Sequence, residues 1–142
     1  MAMALTLGIA PGCGAPRSYQ PDTTLVARLG HERAEARLRT LLGRAESPTV
    51  VDVHVTEEHI DIVWLGTRAV SRWRFGAIES IDIRGSDHVV TLRLENKGYI
   101  YRIDFTTEAD ATEFVDLVAS FYRAGARAEV KLPSITRDRE RP

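Results

Sequence analysis

The sequence predicts an α+β domain: an antiparallel meander of six or seven short strands, capped by an amphipathic C-terminal helix and preceded by an additional N-terminal helix. Three observations predict it. Between about residues 50 and 106 Val, Ile and aromatic residues alternate with polar ones; turn-forming residues punctuate that stretch every few positions; and from Ala111 onward the apolar period lengthens to three or four.

The N-terminal helix is read over 23–46. Leu25, Leu29, Ala36, Leu38, Leu41 and Leu42 are apolar among Arg28, Glu32, Arg33, Glu35, Arg37 and Arg39, and Asp22 or Thr23 can accept orphan N–H groups at its start. Gly30 and His31 weaken its middle. Glu46-Ser47-Pro48 ends it, because the residue before a proline avoids the helical region.

A hairpin follows. A tight turn at Glu57-Glu58 sets Thr56 opposite His59, Val55 opposite Ile60, Val53 opposite Ile62 and Val51 opposite Trp64, so both apolar sets share one face. Further strands are expected at about 69–75, 79–84, 89–95 and 99–106, separated by Gly66-Thr67, Gly76, Gly85-Ser86-Asp87 and Asn96-Lys97-Gly98. The connections are too short for helical crossovers, so the pairing should be antiparallel.

In the last helix Ala111, Phe114, Val115, Val118, Phe121 and Tyr122 recur at helical spacing, and Glu108, Asp110 and Glu113 suit the positive end of its dipole. Thr107 with Asp110 forms a capping-box pattern, Asp replacing the usual Glu or Gln. Ala124-Gly125 stops it. The tail, 126–142, has too few apolar residues to fold alone and is expected to be mostly disordered.

Composition narrows the function classes. With 142 residues and 44% hydrophobic content the chain suits one domain with a real core, and a formal net charge of -1 gives no global field to draw it onto nucleic acid. The single cysteine, Cys13, allows no intrachain disulfide and no multi-thiolate zinc site. Nucleophile elbows, phosphate-cradling loops, H-E-x-x-H and Gly-rich dinucleotide turns are all missing, so the chain reads as non-enzymatic, with no cofactor implied.

The first fourteen residues, MAMALTLGIAPGCG, resemble a bacterial lipoprotein signal, an apolar run followed by the cysteine that would be acylated. No Lys or Arg precedes the run, and Pro11 takes a lipobox position usually held by a small or apolar residue. The resemblance implies a chain anchored at the cell envelope through Cys13, with 14–22 as a tether. The alternative is a leader with an incidental cysteine and a cytoplasmic protein.

Trp-Arg-Phe-Gly-Ala-Ile-Glu-Ser-Ile-Asp-Ile at 73–83, with Ile-Asp-Phe-Thr-Thr-Glu-Ala-Asp-Ala-Thr-Glu-Phe at 103–114, resembles a pleckstrin-homology-like or GRAM-like domain across about 49–125. The resemblance implies an open barrel plugged by the final helix. Members that bind phosphoinositides carry Lys and Arg in the first hairpin loop; here that turn is acidic, Glu57-Glu58.

Two side-chain groups are candidate sites. Asp52, His54, His59 and Asp61 fall on the polar face of the hairpin, where two imidazoles and two carboxylates can bind a divalent metal or pass a proton; the plain alternative is a solvated face. Arg68, Arg72, Arg74 and Arg84 can form an anion-binding patch for lipid headgroups or acidic peptides, unless Glu79, Asp82 and Asp87 neutralise them. Trp64, Trp73, Tyr99 and Tyr101 read as core. The expected partner is a protein or peptide at the open sheet edge or beside the C-terminal helix, with no nucleic acid.

Overall fold

The computed structural model describes residues 16–66, 69–86, 88–95, 99–124 and 129–138. Among them are three α-helices and eight strands in two sheets. The first sheet has the order β2-β3-β4, with β2 Val50–Val55, β3 His59–Trp64 and β4 Val70–Arg74. The second runs β1-β8-β5-β6-β7, with β1 Pro16–Ser18, β5 Ile78–Arg84, β6 Val89–Leu94, β7 Tyr99–Asp104 and β8 Ser134–Asp138. A single 3-10 turn, Phe75–Ala77, carries the chain from one sheet to the other, so the expected continuous meander is divided after β4.

The first hairpin forms as the alternation requires, with Val55 opposite Ile60, Val53 opposite Ile62 and the three-residue reach from Thr56 N–H to His59 O of 2.9 Å. Its far end differs from expectation. A bulge between Val50 and Asp52 makes Val50 the partner of Trp64, which buries Val50 and turns Val51 out to 48% exposure. One extra residue on one strand reverses the faces beyond it.

The helices differ too. The predicted single helix over 23–46 is two: α1, Leu25–Leu29, and α2, His31–Gly43. Gly30 separates them at φ 89°, a left-handed backbone that glycine adopts without a Cβ clash and that no α-helix continues through. α2 buries Ala34, Leu38, Leu41 and Leu42, so Ala34 rather than Ala36 completes its apolar stripe.

α3, Glu108–Arg123, packs against β5 and β6 and against α1 and α2, and buries Phe114, Val115, Val118 and Phe121 among others. Thr107 caps it, its hydroxyl accepting the Asp110 N–H at 3.1 Å. The Asp110 carboxylate does not complete a capping box. It takes both arms of Arg44, at 2.8 and 2.7 Å, and this bond more than any other holds its pKa below the usual carboxylate range. Arg37 grips Glu113 in the same two-pronged way, so two rungs fix α2 against α3. Such paired contacts set register more than stability, because the guanidinium groups are partly solvated.

The tail is a correction. Ser134–Asp138 forms β8, parallel to β5 and antiparallel to β1, with Ile135 buried. One apolar side chain is enough there because the backbone groups pair on both sides.

The segment before α1 and the first turn of α1 are strapped across α3. The Tyr19 hydroxyl donates to Asp116 Oδ1 at 2.8 Å, the Asp22 N–H to the same oxygen at 3.2 Å, and the Val26 N–H to Ser120 Oγ at 2.8 Å. Burial pushes the Asp116 carboxyl pKa up, against the opposing pull of these donors. The native state therefore holds that proton more tightly than the unfolded chain, and stability falls as pH rises from the unfolded carboxyl pKa through the raised native one. Asp116→Asn keeps an acceptor oxygen and removes the charge. It is expected to melt a few degrees above the parent at pH 7, with the gain vanishing near pH 3, as read by thermal denaturation across pH.

Candidate functional site

Which strand edges are open decides where this fold can take a partner. The outer edge of β2 is closed by α2 side chains: Glu35 Oε2 accepts the Val55 N–H at 2.7 Å, and Arg39 Nη2 donates to Val53 O at 2.8 Å. β5 is flanked by β8 and β6. β1, only three residues long, has β8 alone beside it, and the two longer strands β4 and β7 likewise each have a strand on one side only.

The unpaired backbone groups on those two edges can be assigned. Trp64 N–H donates to Ala69 O at 3.0 Å and Phe75 N–H to Glu58 O at 2.9 Å, so Ser71 and Trp73, in phase with them, face β3. Alternation then directs the N–H and C=O of Val70, Arg72 and Arg74 away from β3. On β7, Phe105 N–H donates to His88 O at 2.9 Å while Asp104 N–H donates to Ser47 O at 2.8 Å, so Ile100 and Arg102 turn away from β6. Ser47 closes only the far end of that edge.

The two edges line two hollows that meet at Tyr101 and together form the cleft. Val70, Arg72 and Arg74 of β4 stand with Leu94, Tyr99 and Tyr101 around a hollow of about 410 Å³. Tyr101 also lines a second hollow of about 480 Å³, with Trp64, Leu65 and Ile100. Its floor is aromatic. Tyr101 lies parallel to Trp64, ring centres 6.3 Å apart, and contacts Trp73 at 5.4 Å and Tyr99 at 6.3 Å. Trp64 is held by its indole N–H, which donates to Ser71 Oγ at 2.7 Å.

The rim is apolar beyond what a solvated strand requires. Leu65 is 61% exposed, Val70 58%, Tyr99 53% and Ile100 51%, and all four border this cleft. Large exposed apolar side chains gathered in one place mark an interaction surface more often than scattered ones do. Tyr99 therefore serves the cleft, a correction to its reading as core, whereas Trp64 and Tyr101 are half-buried and packed against the core and Trp73 is fully buried as expected.

The four candidate metal residues do not converge. His54 is directly opposite Asp61, but both Asp61 oxygens accept from Arg72, at 2.9 and 3.0 Å, and that bond chiefly lowers the Asp61 pKa. Asp52 accepts from Arg39 Nε at 2.9 Å and from the Val53 N–H. His59 Nε2 lies 3.5 Å from Asp61, and His54 Nδ1 3.4 Å from Glu35. Guanidinium groups occupy the carboxylates, and among the described residues no three His, Cys, Asp or Glu side chains are arranged to hold a metal.

The arginine group divides. Arg72 and Arg74 lie on β4 at the cleft, while Arg84 lies on β5 in the other sheet, 3.7 Å from Asp138. The acidic partner of Arg72 is Asp61, one strand inward, and not Glu79 or Asp82 as alternation suggests, because β4 and β5 do not pair; Asp87 lies outside the described residues. Arg74 has no carboxylate partner among the described residues. Arg68 and Cys13 lie outside the described residues. Among the described residues no helix is long and apolar enough to cross a bilayer.

These features define an α+β domain of two sheets capped by a C-terminal helix, with an aromatic cleft between two free strand edges. No protein-family model matches the chain, and no curated protein matches it. Among solved structures the chain is similar to the inner membrane complex sub-compartment protein 3 of Toxoplasma gondii, at 15% identity and a TM-score of 0.43, covering 70% of this chain and 89% of that one. A likeness of that strength transfers neither ligand nor partner.

Proposed function

We propose that this chain is a non-enzymatic binding module of pleckstrin-homology-like architecture that takes an extended peptide into the cleft between β4 and β7. One observation carries the proposal: the free edges of β4 and β7 border two hollows that share Tyr101, and the exposed Val70 and Tyr99 line the first while Leu65 and Ile100 line the second. An edge offers main-chain hydrogen bonds and a hollow beside it offers side-chain selectivity, the two ingredients of recognition by strand addition. The helix that follows the last meander strand and plugs the sheets supports the family reading.

Selection from a displayed library of random short peptides on the immobilised full chain tests it. Peptides are expected to emerge whose affinity falls at least about tenfold in the double variant Tyr99→Ala, Ile100→Ala, since anchors in such a patch are each worth about 1 kcal/mol or more. The melting temperature should hold, because both side chains are half in water. No enrichment, or enrichment indifferent to the double variant, overturns the proposal.

A second element is attachment at the cell envelope through acylated Cys13, supported by the apolar run ahead of it. Intact mass of the protein from a native membrane fraction should lack the first twelve residues and carry acyl mass. An unmodified mass removes that element and leaves the cleft untouched.

A further inference from the structure

We infer that the peptide taken by this cleft is acidic on alternate residues and pairs with the free edge of β4. The inference rests on the cleft being a peptide site and adds the chemistry of the occupant. It follows from the position of the open backbone groups. The residues of β4 whose N–H and C=O point into the cleft are Val70, Arg72 and Arg74, and all three side chains lie on the solvent face of the strand. A guest strand bonded to that edge sets its own residues directly opposite these three, with side chains on the same face.

Two of the three positions are arginines. Arg72 already meets Asp61 on β3, so its neighbour on the guest side completes a row of alternating charge across three strands. Arg74 stands opposite His59 on β3 and has no carboxylate partner among the described residues, so it is the position where an added carboxylate gains most. A guest lysine there would face an unneutralised guanidinium. Opposite Val70 the guest side chain meets an exposed apolar surface. The intervening guest residues point the other way, onto Tyr101 and Leu94, and should be apolar. The occupant is therefore an extended segment with carboxylates on one face and apolar side chains on the other.

The competing edge of β7 offers less. Of its outward-directed residues, Arg102 is already paired with Asp104 at 3.0 Å and Ile100 is apolar. Charge complementarity thus favours β4.

Three fluorescein-labelled peptides of one alternating pattern, with Glu, Gln or Lys at the solvent-face positions, test this against the full-length chain by anisotropy. The Glu peptide should bind about tenfold more tightly than the Gln peptide and the Lys peptide weakest, from two cross-strand charge pairs. Arg74→Glu should reverse the order of the Glu and Lys peptides. Val70→Pro removes one outward N–H without touching the bonds to β3 and should weaken all three, while an unchanged circular dichroism melt shows that the fold survives. Equal affinity for the Glu and Gln peptides, or an order unchanged by Arg74→Glu, overturns the acidic assignment and leaves peptide binding standing. Failure of all three peptides, together with an empty library selection, removes the peptide reading itself. Self-association abolished by Val70→Pro would give the edge to a second copy of the chain, and Arg74-dependent binding to anionic vesicles would give it to a membrane surface; either result overturns the inference.

Discussion

Phe114→Ala is expected to destabilise the domain by about 3–5 kcal/mol, the usual cost of truncating a buried aromatic ring to a methyl group. Phe114 is fully buried on α3 and is the point where helix and sheets meet. Its ring packs on Phe105, centres 5.2 Å apart, and edge-on to Trp73 at 6.3 Å. Those neighbours are themselves fully buried, Trp73 within β4 and Phe105 just past β7 with its N–H bonded to His88 O, so they cannot move to refill the space. Against a total of about 5–15 kcal/mol for a domain of this size, the loss leaves little or no folded population at moderate denaturant. Urea unfolding followed by tryptophan fluorescence measures it, with the midpoint falling and the slope unchanged. A shift below about 1 kcal/mol would mean that α3 does not seal the core in the way described.

The parts of the fold legible in the sequence are those where one residue type serves one local purpose. Period-two alternation placed Val53, Val55, Ile60 and Ile62 on the buried face, and the 3.6-residue period placed Phe114, Val115 and Val118. The misplaced parts depend on partners distant in the chain. Alternation points Val51 inward because no local signal marks a bulge, and composition leaves the tail 126–142 outside the fold because β8 is stabilised by pairing with β1 and β5 rather than by its own side chains. Alternation points Arg72 to Glu79 and Asp82 rather than to Asp61 because nothing local marks the division of the sheets after β4, at a 3-10 turn written only as Phe75-Gly76-Ala77.

The cleft did leave a trace. Tyr99, Ile100 and Tyr101 are apolar on both phases of a strand, and a strand with one buried face has no structural need for that. Three consecutive apolar residues imply an apolar outer surface as well, which is what Tyr99 and Ile100 provide. Which edges stay unpaired was not legible at all, because it depends on Glu35 and Arg39 reaching from α2 to close β2. A carboxylate on a helix carries no sign of the strand it will cap.

Deletion of residues 134–142 should have the second largest effect, a loss of about 3 kcal/mol or more, because β8 joins both ends of the described chain to the sheet. Ile135 supplies a buried side chain, and its carbonyl accepts the Tyr19 N–H at 2.8 Å. Arg137 Nη2 donates to Glu108 Oε2 at 2.6 Å and to Thr112 Oγ1 at 2.9 Å, and the Thr136 hydroxyl bonds Asp82. Without β8, the β1 strand has no neighbour and β5 gains a bare edge. Its Tyr19 arm keeps the bond to Asp116 but loses the sheet that positions it. Hydrogen exchange separates this from a general weakening: amides of β1 and of the β8-facing side of β5 should exchange far faster, while those shared by β2, β3 and β4 change only as much as global stability does. Unaltered exchange in β5 together with an unaltered melting temperature would show that the C-terminal strand contributes nothing to the folded domain.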